Sequence, residues 1–206
     1  YRLKPDDQVA REVEGLTGFD YKGYFLFWGS LEPKKNIGRL IEAYLSSQVD
    51  TPLVIVGAQA WKSEQELKLL GDTETVYGSL ERRRGARKRI IQMPYAPFPL
   101  LVSLIRGAKA AMFPSLYEGF GLPVLEAMLL GTPVICSNTS SLPEVAGDAA
   151  LMVDPYDTQA ITQAIRAIDA DAGLRDHYVA LGHSQAARYS PEIYRESLKA
   201  VYDRHL

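Results

Sequence analysis

Apolar runs of strand length alternate with segments of helical period along most of the chain. "YFLFWG" (24–29), "LVIVG" (53–57), "RIIQM" (89–93), "AAMFPS" (110–115), "PVICS" (133–137) and "ALMVD" (150–154) read as strands. They are short and uniformly apolar, without the alternation of a sheet that faces water on one side, so they should be buried on both faces. Between them, "NIGRLIEAYLSSQ" (36–48) places Ile37, Leu40, Ile41, Tyr44 and Leu45 on one helical stripe, and "PLLVSLIRGA" (99–108) and 122–130 also read as helices. Pro123 falls in the first turn of the last of these, where a proline is favoured. Three helical stretches, 157–170, 172–188 and 191–205, close the chain. The alternation predicts an α/β fold: a Rossmann-like parallel sheet with helices on both faces. Ligands of such sheets bind beyond the carboxyl ends of the strands. The turns after residues 29, 57, 93, 115 and 137 are therefore where chemistry is expected. Residues 71–88 carry the weakest pattern and lead into a basic cluster, "RRRGARKR" (82–89).

Bulk properties narrow the function only by exclusion. The 206 residues are 47% hydrophobic and 23% charged, an ordinary balance for a chain with a real core. A net charge of −2 gives no global reason to expect nucleic acid or an anionic membrane as partner. One cysteine, Cys136, rules out an intrachain disulfide and fits a cytoplasmic setting. No apolar run reaches the roughly 18 residues of a membrane span. The chain starts without Met, and "YRLKPDDQVA" does not read as a signal peptide, so a piece of a longer protein is expected.

The chemistry concentrates in "PSLYEGFGLPVLEAMLLG" (114–131). Glu118 sits in a Gly-rich turn after a strand, and Glu126 follows eight residues later among Leu122, Val124, Leu125, Met128 and Leu129. A carboxylate left unpaired in apolar surroundings costs several kcal/mol, so Glu126 needs either solvent or a partner. The helix start beside it presents backbone N–H groups and a partial positive charge, a seat for phosphate. A carboxylate one turn further on matches the vicinal hydroxyls of a ribose, and Glu118 would then face the sugar beyond the phosphates. Gly119 and Gly121 allow close backbone approach. A glutamate near a helix start also gains about 0.3–1 kcal/mol from the helix dipole alone, which is the plain alternative.

The string "EGFGLPVLEAM" resembles the E-x7-E motif of retaining glycosyltransferases of the GT-B fold, family 4 type, the glycosyl transferases group 1. "GTPVICSNTSSLPEVAGDAALMVDP" (131–155) and "FWGSLEPKKNIGRLIEAY" (27–44) are similar to two further segments of that family, in the same order. The likeness covers residues 24–206, the donor-binding half of such enzymes. It implies that Glu118 and Lys35 serve the reaction, Glu118 on the hydroxyls of the transferred sugar and Lys35 on the pyrophosphate. It implies donor contacts from the amides around Phe120, Gly121 and Leu122, with Glu126 on the ribose. Where many members carry Arg after the strand's Gly, this chain has Ser30, so Ser30, Lys34 and Lys35 share the question of which group meets the diphosphate. Tyr95 either lies against the nucleobase or packs in its turn on Pro94 and Pro97. Ser137, Asn138, Thr139 and Ser140 either line the cleft or form a polar turn that caps the next short helix.

The resemblance further implies a nucleotide sugar as substrate, metal-independent chemistry and no cofactor. "LEPKKN" favours GDP-mannose, with transfer to a carbohydrate or glycolipid acceptor. The expected division is an interdomain segment at 1–22, a nucleotide-sugar-binding domain at 23–190 and a C-terminal helix at 191–206 that crosses to an acceptor-binding N-terminal domain. Peripheral contact with the inner membrane face is a further expectation, and the basic cluster is either a wet surface loop or part of such a contact. "DAD" (169–171) reads as a solvated loop rather than a metal string, and no metal site is expected. Competing readings are a non-catalytic nucleotide-sugar-binding module and a sugar-nucleotide epimerase of related fold. A dinucleotide-dependent oxidoreductase is disfavoured because "WGSLEPKKN" lacks G-x-G-x-x-G.

Overall fold

The computed structural model describes residues 4–58, 74–75 and 90–205. The basic cluster 82–89 lies outside the described residues. Among the described residues, seven strands form one parallel sheet in the order β3-β4-β2-β1-β5-β6-β7. They are β1 (Phe25–Trp28), β2 (Leu53–Val56), β3 (Glu74–Thr75), β4 (Ile90–Met93), β5 (Ala110–Phe113), β6 (Val134–Ser137) and β7 (Leu151–Val153). The central strands β1, β2, β5 and β6 are buried at every position. That is why they read as unbroken apolar runs. Register pairs Phe25 with Leu53 on one side of β1 and with Ala110 on the other. The ends of β1, β2 and β5 therefore lie side by side, and so do the loops that leave them.

Eight helices accompany the sheet among the described residues: α1 (Asp6–Thr17), α2 (Ile37–Ser47), α3 (Phe98–Gly107), α4 (Leu122–Leu129), α5 (Leu142–Ala146), α6 (Thr158–Ala170), α7 (Ala172–Ala187) and α8 (Pro191–His205). In α2 the expected stripe goes inward, with Ile37, Leu40, Ile41 and Tyr44 buried, while Leu45 stays exposed. Asp157 caps α6 by accepting from the amides of Gln159 and Ala160, and Asp171 caps α7 through Leu174.

One sequence reading changes here, that of "DAD", and the two terminal segments fold as helices. The segment expected to run between domains forms α1, whose Val9 and Val13 are fully buried; Arg106 of α3 pairs with Asp6, and Ser103 donates to Glu12. "DAD" is no solvated loop. Asp169 accepts from Lys109 at 2.7 Å and from Thr51 at 2.6 Å, while Asp171 is the helix cap. Finally, α8 keeps every residue from Pro191 to Arg204 exposed, Tyr194, Val201 and Tyr202 included. No helix among the described residues is long and apolar enough to cross a membrane.

Candidate active site

The loops leaving β1 and β5 are sewn together at the carboxyl edge of the sheet. After Trp28, Gly29 turns with φ +135°, and its carbonyl approaches the next loop so closely that a Cβ on Gly57 would meet Gly29 O at 1.9 Å. Only glycine fits there. The chain then makes a 3-10 turn over Pro33–Lys35 and enters α2 through Asn36, a left-handed residue with φ 60°. Asn36 is buried, and its Nδ2 donates to Pro114 O at 2.9 Å and Pro155 O at 2.8 Å. The amide of Leu116 donates to Lys34 O at 2.8 Å. These bonds fix the β1 loop against those after β5 and β7.

Inside this joint Lys35 and Glu118 form a close ion pair. Lys35 Nζ donates to Glu118 Oε1 at 2.7 Å and Oε2 at 2.9 Å, and Ser115 Oγ adds a bond to Oε1 at 2.8 Å. Both charged residues are only 9% exposed. Two charges so far from water need mutual compensation, and the three bonds supply it. Lys34 points elsewhere, 3.4 Å from Glu32, which also accepts from the Ser30 hydroxyl. The Ser30 bond, and behind it the charge of Lys34, holds the Glu32 carboxyl below its usual range. Of the two lysines, Lys35 is thus the one joined to Glu118, and Ser30 and Lys34 form a separate exposed group around Glu32.

The segment after β6 acts as a platform for the Glu118 loop. Ser137 Oγ donates to Ser115 O. Ser140 Oγ accepts from the Glu118 amide at 3.1 Å and donates to the Glu118 carbonyl at 2.6 Å. Ser141 Oγ lies 3.0 Å from Glu118 O and 2.8 Å from Phe120 O. Ser141 occupies the N-cap position of α5 without capping it through its side chain. The hydroxyls therefore brace the site loop instead of capping the next helix.

Gly121, at φ +105°, starts α4, and a Cβ there would meet Leu142 Cδ2 at 2.6 Å. Amides at a helix start have no acceptor within the helix, which leaves this turn able to hold an anion. The first helical residue, Leu122, has an exposed side chain, and Phe120 stacks edge-on against Tyr189 with centroids 5.8 Å apart. Along α4, Val124, Leu125, Ala127 and Met128 are buried, whereas Leu122, Glu126 and Leu129 share the exposed face. Glu126 is thus both solvated and partnered: the indole Nε1 of Trp28 donates to its Oε2 at 3.1 Å. Tyr95, in the turn after β4, is 77% exposed, so its ring is not packed into that turn. Cys136 is fully buried, and burial pushes its thiol up to about 12, which suits packing and not nucleophilic chemistry.

Glu126 therefore reaches back to Trp28 at the end of the first strand, and Glu118 to Lys35 in the loop that follows that strand. Trp28, Ser115 and Ser141 carry no sequence signal that singles them out by type alone, whereas Ser140 belongs to the polar turn named above. Asn36 carried a usable signal, since asparagine is the non-glycine residue that best tolerates a left-handed turn. Among the described residues no group of three or more His, Cys, Asp or Glu could hold a metal ion.

The family model for Glycosyl transferases group 1 matches residues 14–184. The O-antigen chain mannosyltransferase B of Escherichia coli is 39% identical over 177 residues, which are 84% of this chain and 43% of that protein. The serotype-specific mannosyltransferase WbdA of Escherichia coli is 34% identical over 169 residues, 81% of this chain and 20% of WbdA. The chain thus spans less than half the length of these relatives. Among solved structures, Anabaena Alr3699/HepE in complex with UDP and glucose superposes on 100% of this chain and 54% of its own, with TM-score 0.77 at 17% identity. Sucrose-phosphate synthase from Thermosynechococcus elongatus does so over 95% and 48%, with TM-score 0.73 at 23% identity. These likenesses give the fold, the Rossmann-like half of a GT-B glycosyltransferase.

Proposed function

The chain belongs to the glycosyl transferases group 1 family, and on that premise we propose that it supplies the donor site of a retaining mannosyltransferase that uses a nucleotide-diphosphate sugar, GDP-mannose first among them. The observation that carries the reading is that both motif carboxylates bond to the β1 end and the loop leaving it, Glu126 to Trp28 and Glu118 to Lys35. A diphosphate at the start of α4 would have Glu126 on its nucleoside side and Glu118 on its sugar side. Lys35, already in the site, would turn to the diphosphate and stabilise the charge that grows on the leaving nucleoside diphosphate. Glu118, released from its lysine, would accept hydrogen bonds from the sugar hydroxyls. Before the donor arrives, the pair keeps both charges compensated. Ser30, Lys34 and the amides of Phe120, Gly121 and Leu122 would border the diphosphate, and Tyr95 would border the base.

No step in this scheme calls on a metal or a cofactor. The acceptor, a carbohydrate or a lipid-linked glycan, would come from an N-terminal domain across the cleft. The exposed face of α8 and a peripheral membrane contact would serve that assembly. Mannose is favoured because the relatives named above are mannosyltransferases.

A melting panel with GDP-, UDP- and ADP-sugars tests the donor site, since a ligand bound only by the folded state raises the melting point by mass action. GDP-mannose should stabilise most. If no nucleotide sugar stabilises the chain at millimolar concentration, the donor-site reading is wrong. Transfer by the full-length protein, with product anomer read by NMR, tests retention; an inverted product would overturn that part.

A further inference from the structure

Resting on the donor-site reading above, we propose that Trp28 is a positioning residue whose indole N–H sets the Glu126 carboxylate to receive the ribose hydroxyls of the nucleoside diphosphate. Trp28 ends β1 and is 5% exposed. Its ring stands edge-on to Phe113 at 4.7 Å and 85°, and Phe113 is itself buried at the end of β5. The indole cannot turn without disturbing the core. Phe25, Leu26 and Phe27, the rest of β1, carry no polar side-chain atom, so packing alone would be served by a phenylalanine at 28. The one polar atom on the strand's side chains finds its acceptor 98 residues away, on the exposed face of α4.

An indole N–H is a donor only, and a buried donor requires an acceptor. The bond therefore has a second consequence. A solvated glutamate samples several rotamers and pays for ordering when a ligand arrives. Held through Oε2 by a rigid ring, Glu126 is ordered beforehand. A carboxylate accepts at about four lone-pair positions, so one bond from Trp28 leaves capacity for a vicinal diol.

Trp28→Phe keeps an aromatic ring against Phe113 and removes the donor. Calorimetry should show GDP bound about three- to tenfold more weakly, the size of one side chain's ordering cost. Binding of 2′,3′-dideoxy-GDP, which has no ribose hydroxyls, should not change. In a Glu126→Ala background, Trp28→Phe should add no further loss. Equal weakening of both nucleotides, or additive losses in the double variant, would make Trp28 a packing residue and overturn the proposal. A measurement on the unaltered ring covers the case of a misfolded variant. The indole ¹H–¹⁵N signal of Trp28, told from Trp61 by Trp61→Phe, should shift with GDP and stay nearly still with the dideoxy analogue; equal shifts would also overturn it. A wild-type chain that binds neither GDP, UDP nor ADP refutes the donor site itself, a result distinct from all of these.

Discussion

Two lysine–carboxylate pairs of equal length lie at opposite edges of the same sheet. At the carboxyl edge Lys35 meets Glu118 at 2.7 Å; at the amino edge Lys109 meets Asp169 at 2.7 Å. Distance does not separate them, but their settings do. Lys109 also donates to Thr51 Oγ1 at 2.7 Å, and Thr51 donates in turn to Asp169. That triangle ties the entries of β2 and β5 to the end of α6, and nearby Arg175 donates to the carbonyls of Ile168 and Asp169. The amino-edge pair is a knot between regular elements. The carboxyl-edge pair joins two loops, uses both oxygens of its carboxylate, and is the more buried, with side chains 11% and 10% exposed against 18% and 21%. Burial of a charged pair in loops, beside a helix start and glycine turns, is hard to justify as stabilisation, because desolvation offsets much of the attraction. Position in the fold, and not bond length, separates the two pairs, and on the proposed reading only the carboxyl-edge pair meets the donor.

The sharpest way to break this contrast is to make the carboxyl-edge pair apolar. Lys35→Met with Glu118→Leu should leave folding stability within about 1 kcal/mol of wild type, since a buried pair replaced whole is often neutral. Transfer should fall on the order of 10²–10³-fold or more, the usual cost of losing one preorganised group at a developing charge. Urea denaturation and a mannosyl-transfer assay on the full-length protein read the two effects. A double variant that still transfers would reduce the carboxyl-edge pair to a second knot.

The amino-edge pair should behave in the opposite way. Asp169→Ala leaves Lys109 without its charge partner and should lower stability by about 1–3 kcal/mol in urea denaturation. GDP affinity should stay within about twofold, because the knot lies at the far end of the strands. A tenfold change in affinity would show that the two edges are coupled and that the contrast is false.

How far the sequence revealed these two edges follows from the range of the interactions. The sheet was legible because β1, β2, β5 and β6 are buried on both faces and so are apolar without interruption. Helix α1 was not, because it carries Val9, Val13 and Leu16 among charged residues and takes its place from α3, some 90 residues on. β3 is two residues long, below what any periodicity can register. Glu118 and Glu126 stood out through one contiguous motif string, and Lys35 through a second. Their supports did not: Trp28 to Glu126 spans 98 residues and Asn36 to Pro155 spans 119. The acid among apolar neighbours on α4 was the visible end of one such link. Its helix turns Leu122, Glu126 and Leu129 outward together, which a list of hydrophobic positions cannot distinguish from a fully buried stretch.

A third charged contact sharpens the comparison at its weak end. Glu12 on α1 accepts from Lys4 and from Ser103 of α3, and these bonds, that of Lys4 foremost, hold its carboxyl below the usual 4.5. A carboxylate with a lowered folded-state pKa contributes stability that is fully present above 4.5 and is lost as the pH falls through the lowered value. Wild type and Glu12→Gln should therefore differ most near neutrality and converge in acid. Water reaches this contact, so screening limits the difference to about 0.2–1 kcal/mol. Paired urea melts at pH 7 and at pH 3 to 4 would resolve it, and raised salt should shrink the neutral-pH gap. If the gap widens in acid instead, Glu12 is protonated more readily in the folded chain than in the unfolded one, and the contact does not anchor α1. The same melts leave the carboxyl edge untouched, so GDP affinity of Glu12→Gln at pH 7 should match wild type, as expected of a contact that serves only the scaffold.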